Sequence, residues 1–390
     1  MYQKYLFFLV LFTFSCNSGN NVLYEFNPEV INKNEIKLSD IADEITYIPL
    51  NYQYPLGLCH KIEITDNSIY VSVSDIGIIA FSRNGQLYRK IGNIGRGPGE
   101  YRNGLKFAVD DKNERIYVLD QGIKIKVYSK SGNFIRDIPL QDYEVYFDDI
   151  DFYNSSLFLS EYIGIGKAVY NWIIIDTLGN LISHKKNSVP SFKSILIPGG
   201  GTYKFENRIF YWNCYNDTIF SISPDLTCKP SFLFSPGEHR LPRSQYYSEG
   251  KKLSDYMLLN NIFETRRFWV IVYYLKAKGA IVLIEKISNK SFYVDLETES
   301  IPWISFTNHG GILDDLDGGP KFQPFGYFEE NGQEYIMGLL EPYILKTHVA
   351  GIEFKNSSTK YPRGKEELKK LADRLNETDN KILVIVKLKK

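Results

Sequence analysis

The chain has 390 residues, of which 44% are hydrophobic, 15% aromatic and 24% charged. Such a composition can bury a large core, which excludes a chain that is disordered throughout. Lysine plus arginine and aspartate plus glutamate both number 46, so no net charge attracts nucleic acid, and we expect no nucleic-acid partner.

The first predicted element is a secretion signal. An apolar run from Tyr5 to Phe14 is too short to span a bilayer and has the length of a signal-peptide core. A small serine then precedes Cys16, which resembles the lipobox of bacterial lipoproteins, and Thr13 makes it similar to the relaxed form of Bacteroidetes. The resemblance implies removal of residues 1–15 and lipidation of Cys16; ordinary secretion with an incidental cysteine is the alternative.

A polar segment of small residues follows the signal. Residues 16–37 are therefore predicted to be a flexible tether between a lipid anchor and the folded domain. The anchor would hold the protein in the cell envelope as a membrane partner. We favour the outer membrane, and leave open whether the domain faces the periplasm or the cell surface.

An internal repeat indicates the fold of residues 38–390. Two β-rich units carry the triplet "IYV" at Ile69 and Ile116, and each has a turn glycine 16 positions later, at Gly85 and Gly132. The units are 47 positions apart, which is typical of propeller blades. Weaker copies follow, and we count six blades in one all-β, six-bladed β-propeller domain, with five or seven as alternatives.

The weaker copies include "NRIFYWN" and, last, "GQEYIMGLLEPYILKTHV", which we interpret as blade strands. Near the C-terminus, Leu368, Leu371, Ala372 and Leu375 have helical spacing, and a closing strand follows. Because a ring of blades must hide its free edges, we expect residues 45–50 and 382–387 to complete the same last blade.

Residues 92–137 carry a resemblance to a known repeat. A glycine-rich connector is followed by "AVD", "IYVLD", "IKVYS" and "SGNF", and this order resembles an NHL-type propeller repeat. With the signal, "DIADEITYIPL" and the final helix and strand, the chain is similar to six-bladed propeller lipoproteins of gut and oral Bacteroidetes. That family has no settled biochemical function, so the resemblance implies only a fold and a location in the cell envelope.

The connector "GNIGRGPGEYRN" is the first candidate site. Its glycines suggest a phosphate loop, but no Lys-Ser/Thr pair follows and the next element is a strand, so we predict an interblade connector. Arg96 and Glu100 are candidates either for contacts between blades or for a ligand surface.

The second candidate is the acidic loop "HGGILDDLDGG". Asp314, Asp315 and Asp317 could bind calcium, with His309 as a further ligand, although the loop lacks the later ligands of an EF-hand. A solvated turn is the simpler interpretation. Apart from this calcium, we expect no cofactor.

The remaining chemistry is sparse. Cys59, Cys214 and Cys228 are too scattered for a disulfide framework or a zinc site, and no HExxH or GxSxG motif is present. The sequence therefore favours an envelope-anchored binding or scaffold module whose ligand is an unknown protein or glycan. The alternative is a propeller enzyme, a hydrolase or lyase acting on a sugar, lactone or peptide at the channel mouth, with no catalytic residue assigned.

Overall fold

The computed structural model describes residues 23–161, 169–192, 199–244, 248–301 and 305–390. Within them, the strands form six blades of four antiparallel strands each, arranged as a six-bladed β-propeller. The predicted fold class and blade number are confirmed.

Three elements precede the first blade: β1 (Tyr24–Phe26), α1 (Leu38–Ile41) and β2 (Ala42–Pro49). Blade 1 consists of β3 (Cys59–Ile64), β4 (Ser68–Val73), β5 (Gly77–Ser82) and β6 (Leu87–Ile91). Blade 2 consists of β7 (Lys106–Asp110), β8 (Arg115–Asp120), β9 (Lys124–Ser129) and β10 (Phe134–Pro139). Blade 3 consists of β11 (Phe147–Tyr153), β12 (Ser156–Glu161), β13 (Tyr170–Ile175) and β14 (Leu181–Lys186).

Blade 4 consists of β15 (Gly200–Phe205), β16 (Arg208–Asn213), β17 (Thr218–Ile222) and β18 (Cys228–Phe234). Blade 5 consists of β19 (Leu258–Glu264), β20 (Phe268–Leu275), β21 (Lys278–Glu285) and β22 (Ser291–Asp295), and is followed by a hairpin of β23 (Thr298–Ile301) and β24 (Ser305–Asn308). Blade 6 contains β25 (Gly326–Glu330), β26 (Gln333–Leu340), the helices α2 (Pro342–Ala350), α3 (Ile352–Asn356) and α4 (Pro362–Arg374), and β27 (Ile382–Leu388).

The predicted repeat corresponds to the blades. Ile69 and Ile116 are the second residues of the equivalent strands β4 and β8, and the glycines 16 positions later lie in the turns before β6 and β10. Gly85 and Gly132 have φ of 83° and 87°, which glycine adopts at little cost. All residues of β4 and β5 are buried, because both faces of a blade pack against neighbouring blades.

The ring closes as the sequence predicted. In blade 6 the strand order is β2-β27-β26-β25, with β2 and β27 antiparallel and Ile45 opposite Val386. An N-terminal strand and a C-terminal strand therefore complete one sheet, so the two ends of the chain hold each other in the ring.

Residues 342–350 differ from the prediction of a blade strand, because they form helix α2. Pro342 occupies the first helical turn, where its missing N–H is not needed, and Leu345 and Val349 are buried on one face. The predicted C-terminal helix is confirmed as α4, which buries Leu368 and Leu371. No described helix is both long and apolar enough to cross a membrane.

The N-terminal segment also differs from the prediction. Residues 16–37 were predicted to be a flexible tether, but from residue 23 onward the chain packs against the propeller. Strand β1 pairs in parallel with β18 at the outer edge of blade 4, and a bridge joins Asn34 to Phe292 in blade 5. Phe26 is only 2% exposed and packs on Phe234 and Tyr273. Burial of aromatic side chains thus fixes this segment to two blades.

This packing predicts that Phe26→Ala lowers the free energy of unfolding by about 3 kcal/mol, because it removes a buried ring. Val30→Ala is the matched control in the same segment, since Val30 is 78% exposed. Urea unfolding of both variants measures the difference. Equal midpoints for Phe26→Ala, Val30→Ala and the unaltered protein would contradict a docked segment.

Candidate functional site

The glycine-rich connector crosses from blade 1 to blade 2, between β6 and β7. Tyr101 is fully buried within it; its hydroxyl donates to the Ile91 carbonyl oxygen (2.8 Å) and accepts from the Ile78 N–H (3.1 Å). The Tyr128 hydroxyl of blade 2 donates to the Gly99 carbonyl oxygen (2.7 Å). Two tyrosines, which the sequence analysis did not single out, therefore hold the connector.

Glu100 closes the connector on itself. One of its carboxylate oxygens accepts from the Gly97 N–H at 2.7 Å, and a Cβ at Gly95 would collide with the same carboxylate. Gly99 has a φ of 75° and lies against the Phe134 ring. These glycines therefore make room for a tight turn packed on Glu100 and Phe134, and none of them lines the central cavity.

Arg96 and Glu100 do not meet. Arg96 is exposed and has no ion pair within the described part of the chain, and Glu100 makes its contacts inside its own loop. The structure thus gives Glu100 a local structural contact and leaves Arg96 at the surface.

In the acidic loop, the second candidate site, the Asp314 carboxylate accepts hydrogen bonds from backbone N–H groups. Asp314 is 3% exposed, and its carboxylate accepts from the N–H groups of Leu316 (2.9 Å), Asp317 (3.1 Å) and Gly319 (2.8 Å), and from the Tyr47 hydroxyl (2.9 Å). Four donors occupy both oxygens, so this carboxylate is not free for a cation.

The other acidic side chains of this loop point to different partners. Asp315 accepts from the Ser39 N–H (2.9 Å) and hydroxyl (2.6 Å), which ties the loop to α1. Burial and the carboxylates of Asp314 and Glu44 raise the pKa of Asp317 to about 7. His309 lies at the surface beside Glu299. These contacts do not support the predicted calcium site.

One group of three potential metal ligands converges elsewhere in the described ranges: Glu29, Glu238 and His239. Glu238 pairs with Lys251 at 3.2 Å, and both ring nitrogens of His239 already have protein partners. This arrangement is satisfied as a hydrogen-bonded contact between the N-terminal segment and blade 4.

The cysteines contribute no site. Cys16, the predicted lipidation residue, lies outside the described residues. Cys59, Cys214 and Cys228 are free thiols. Burial raises the pKa of Cys214 to about 12, which keeps its thiol protonated and unreactive.

A cavity of about 1210 Å³ lies at the centre of the ring. The first strand of each blade contributes to its wall, and neighbouring first strands contact one another. Its charged lining residues include both signs: Lys61, Glu63, Lys106, Asp149, Asp151 and Lys204. A concave site with convergent polar groups is the default location for ligand binding.

Ion pairs between blades line this cavity. The Lys61 ammonium of blade 1 donates to the Asp151 carboxylate of blade 3 at 2.9 Å and to the Ile150 carbonyl oxygen at 2.7 Å. Lys106 of blade 2 pairs with Asp149 at 3.1 Å. Burial opposes these charges, but the nearby carboxylates raise the pKa of Lys61 well above its usual value, so it stays cationic.

Asp151 is the buried centre of this network. The Thr202 hydroxyl of blade 4 donates to its second oxygen. Burial alone would raise the pKa of Asp151, but Lys61, Lys204 and the Thr202 hydrogen bond together lower it. Asp151 thus remains an anion that links blades 1, 3 and 4.

A second pair joins blades 1 and 4, which lie opposite each other in a ring of six. The Lys204 ammonium donates to Glu63 Oε1 at 3.4 Å. Glu63 Oε2 is buried and has no hydrogen-bond partner among the described residues. The cavity therefore contains an acceptor that no described residue satisfies.

His60 and Ser74 meet at the edge of the cavity. His60 Nε2 lies 2.6 Å from the Ser74 hydroxyl oxygen, and burial and Lys106 lower the pKa of His60, which favours the neutral ring. Within the described ranges, no carboxylate holds the other ring nitrogen, so the orienting member of a catalytic triad is missing.

The sequence analysis proposed a channel-mouth site only as an alternative and named none of the residues of this cavity, although the sequence carries a weak signal for them. Charged residues alternate with apolar ones in "KIEI" (61–64), "DDIDF" (148–152) and "TYKF" (202–205), each in the first strand of a unit. Such alternation in the first strand of a predicted blade indicates a polar space at the axis.

We predict that Lys61→Met lowers the free energy of unfolding by about 3 kcal/mol, because it leaves the buried Asp151 carboxylate without its cation. Lys61→Met/Asp151→Leu is expected to be less destabilised than Lys61→Met alone, since the double change removes both charges. Lys387→Met, in an exposed pair with Glu44, is the control and should change stability by less than about 1 kcal/mol. Equal urea midpoints for Lys61→Met and Lys387→Met would contradict a buried network.

Several solved protein structures are similar to this chain. The chain resembles the crystal structure of a protein from Bacteroides fragilis NCTC 9343 that is described as an exported protein, at 19% identity and a TM-score of 0.66, over 94% of this chain and 99% of that one. A DUF4221 member from Bacteroides vulgatus has 14% identity and a TM-score of 0.48, over 92% and 100% of the two chains. The virginiamycin B lyase of Staphylococcus aureus has 11% identity and a TM-score of 0.46, over 88% and 99%.

At these identities, the likeness to solved structures concerns the fold alone. No curated protein matches the chain. One family model, a domain of unknown function named DUF4934, matches residues 23–387. That range begins at the segment docked on blades 4 and 5 and includes both strands that close the ring, so the chain belongs to the DUF4934 family.

Proposed function

We propose that the protein is a binding module of the bacterial cell envelope that holds its ligand in the central cavity. The observation that carries the proposal is the cavity of about 1210 Å³, which all six blades line. It has the size of a site for a small molecule or a short chain of residues or sugars. Its wall combines charged groups with aromatic rings such as Phe152 and Tyr327.

The charges of the cavity favour binding over catalysis. Lys61, Lys106, Asp149 and Asp151 pair with one another, so they form a fixed polar surface and are not free to transfer protons. A rigid surface of this kind can orient a ligand without reorganising.

A hydrolase is the second candidate, and one contact favours it. The 2.6 Å contact between His60 and Ser74 is the geometry of a nucleophile and its base. It lacks an orienting carboxylate among the described residues, and we therefore rank it below binding.

The envelope location is supported by the apolar run ahead of Cys16 and by the exported structural relative. Cys16 precedes Leu23 by seven positions, and the chain then joins the outer edge of blade 4 as β1. An anchor at Cys16 would thus attach at the perimeter of the ring, away from the central cavity. We infer a lipoprotein of the outer membrane.

For the location, we expect Cys16→Ala to lose incorporation of a labelled fatty acid and to leave the membrane fraction, because the thiol is the lipidated group. Cys59→Ala is the matched control and should keep both properties. The measurement is acyl labelling and fractionation of the cells of origin. A Cys16→Ala protein that stays membrane-bound, beside an unlabelled wild type, would refute the lipoprotein proposal.

For binding, a panel of neutral oligosaccharides and short peptides is titrated by calorimetry. At least one member should bind the wild type, and Asn260→Trp should abolish that binding, because Asn260 is exposed on β19 and lines the cavity. Asn356→Trp, on the exposed end of α3, is the control and should bind normally.

Binding that survives Asn260→Trp would overturn the cavity as the site. Turnover of a panel member that is lost in Ser74→Ala would support the hydrolase instead.

A further inference from the structure

The Glu63 carboxylate is the most incomplete polar group of the cavity. Three buried side-chain atoms among the described residues lack a hydrogen-bond partner: Glu63 Oε2, Thr65 Oγ1 and Trp269 Nε1. Of these residues, Glu63 alone lines the cavity. Its side chain is 15% exposed, so Oε2 has given up water without gaining a donor from the protein. Such an atom costs free energy unless a ligand supplies the missing donor.

The surrounding charges restrict the kind of donor. Three lysines and three carboxylates face this part of the cavity, so the group is neutral as a whole: Lys61, Lys106, Lys204, Glu63, Asp149 and Asp151. A ligand ammonium at Glu63 would lie beside Lys204 and would leave an uncompensated positive charge in a partly buried space. A hydroxyl donates a hydrogen bond and adds no charge.

Lys204 can complete the recognition of such a ligand. Its ammonium has three N–H donors, the contact with Glu63 Oε1 is long at 3.4 Å, and its side chain is 43% exposed. A ligand oxygen next to the donating hydroxyl can therefore accept from Lys204. Two neighbouring hydroxyls, one donating to Glu63 and one accepting from Lys204, fit the pair.

Aromatic side chains also contribute to the wall of the same cavity. Phe152 and Phe328 line it and are half-buried, and Phe328 stacks on Tyr335. Aromatic faces in a polar cavity suit a ring that carries C–H groups on one side and hydroxyls on its edge.

We propose that Glu63 and Lys204 bind a vicinal diol of a neutral saccharide in the central cavity. This proposal rests on the proposed binding function and names its ligand class. Glu63 Oε2 accepts from one hydroxyl, and the Lys204 ammonium donates to the next.

Calorimetry with neutral oligosaccharides, and with putrescine as a cationic probe, tests the pair. A neutral oligosaccharide should bind the wild type and putrescine should not. Glu63→Gln and Lys204→Met should each weaken saccharide binding by about tenfold, the effect of losing one hydrogen bond to a charged group.

The exposed ion pair of Glu44 and Lys387, at 3.5 Å, supplies matched controls outside the cavity. Glu44→Gln and Lys387→Met should bind the saccharide as the wild type does. Thermal unfolding shows that each variant is folded, and Lys204→Arg, which keeps the cation, should retain more affinity than Lys204→Met.

The outcomes separate this proposal from the broader one. Saccharide binding that Asn260→Trp abolishes, but Glu63→Gln and Lys204→Met leave unchanged, would overturn the diol pair and keep the cavity as the site. Peptide or putrescine binding in the cavity, without binding of any neutral saccharide, would do the same. Ligands that all bind independently of Asn260→Trp would overturn both proposals.

Discussion

Each blade depends on its two neighbours, because its middle strands are buried on both faces. Strands β4 and β5 are buried at every position, and the buried clusters continue from one blade into the next. A sheet of this kind is not stable alone in water, because each exposed face would lose the free energy gained by burying its hydrophobic cluster. The ring must therefore close, and the pairing of β2 with β27 closes it.

Closure of the ring also explains why these charged side chains lie around the central cavity. Faces between blades are filled by apolar side chains, and the first strands alone face one another across an open space. Charges that enter this space lose water and must find partners on other blades, as Lys61 does with Asp151 and Lys204 does with Glu63. The ion pairs thus hold opposite parts of the ring together and give the cavity a polar surface.

The two candidate sites of the sequence, the glycine-rich connector and the acidic loop, have structural roles in the fold. The glycine-rich connector wraps around Tyr101 and Glu100, and the acidic loop uses Asp314 to satisfy backbone N–H groups. Both are dense in glycine or aspartate because sharp turns between packed elements need positive φ or acceptors for unpaired N–H groups. Such composition signals backbone geometry as readily as it signals a ligand.

The sequence by itself determined the repeat of strands, the closing pair of strands and the amphipathic helix α4, and it favoured six blades over five or seven. These features follow from local patterns. The periods of strands and helices, and turn glycines such as Gly85 and Gly132, can be recognised from residues that are close together in the sequence. Helix α2 was not predicted, since the short apolar run that follows Pro342 fits either a strand or a helix.

Only the tertiary structure decided which charges meet. Lys61 and Asp151 are 90 positions apart, and Glu63 and Lys204 are 141 apart. Their contacts depend on the ring placing blade 1 across from blades 3 and 4. No local period encodes which blades face each other. These ion pairs, and the Glu63 oxygen that lacks a partner among the described residues, therefore follow only from the closed ring.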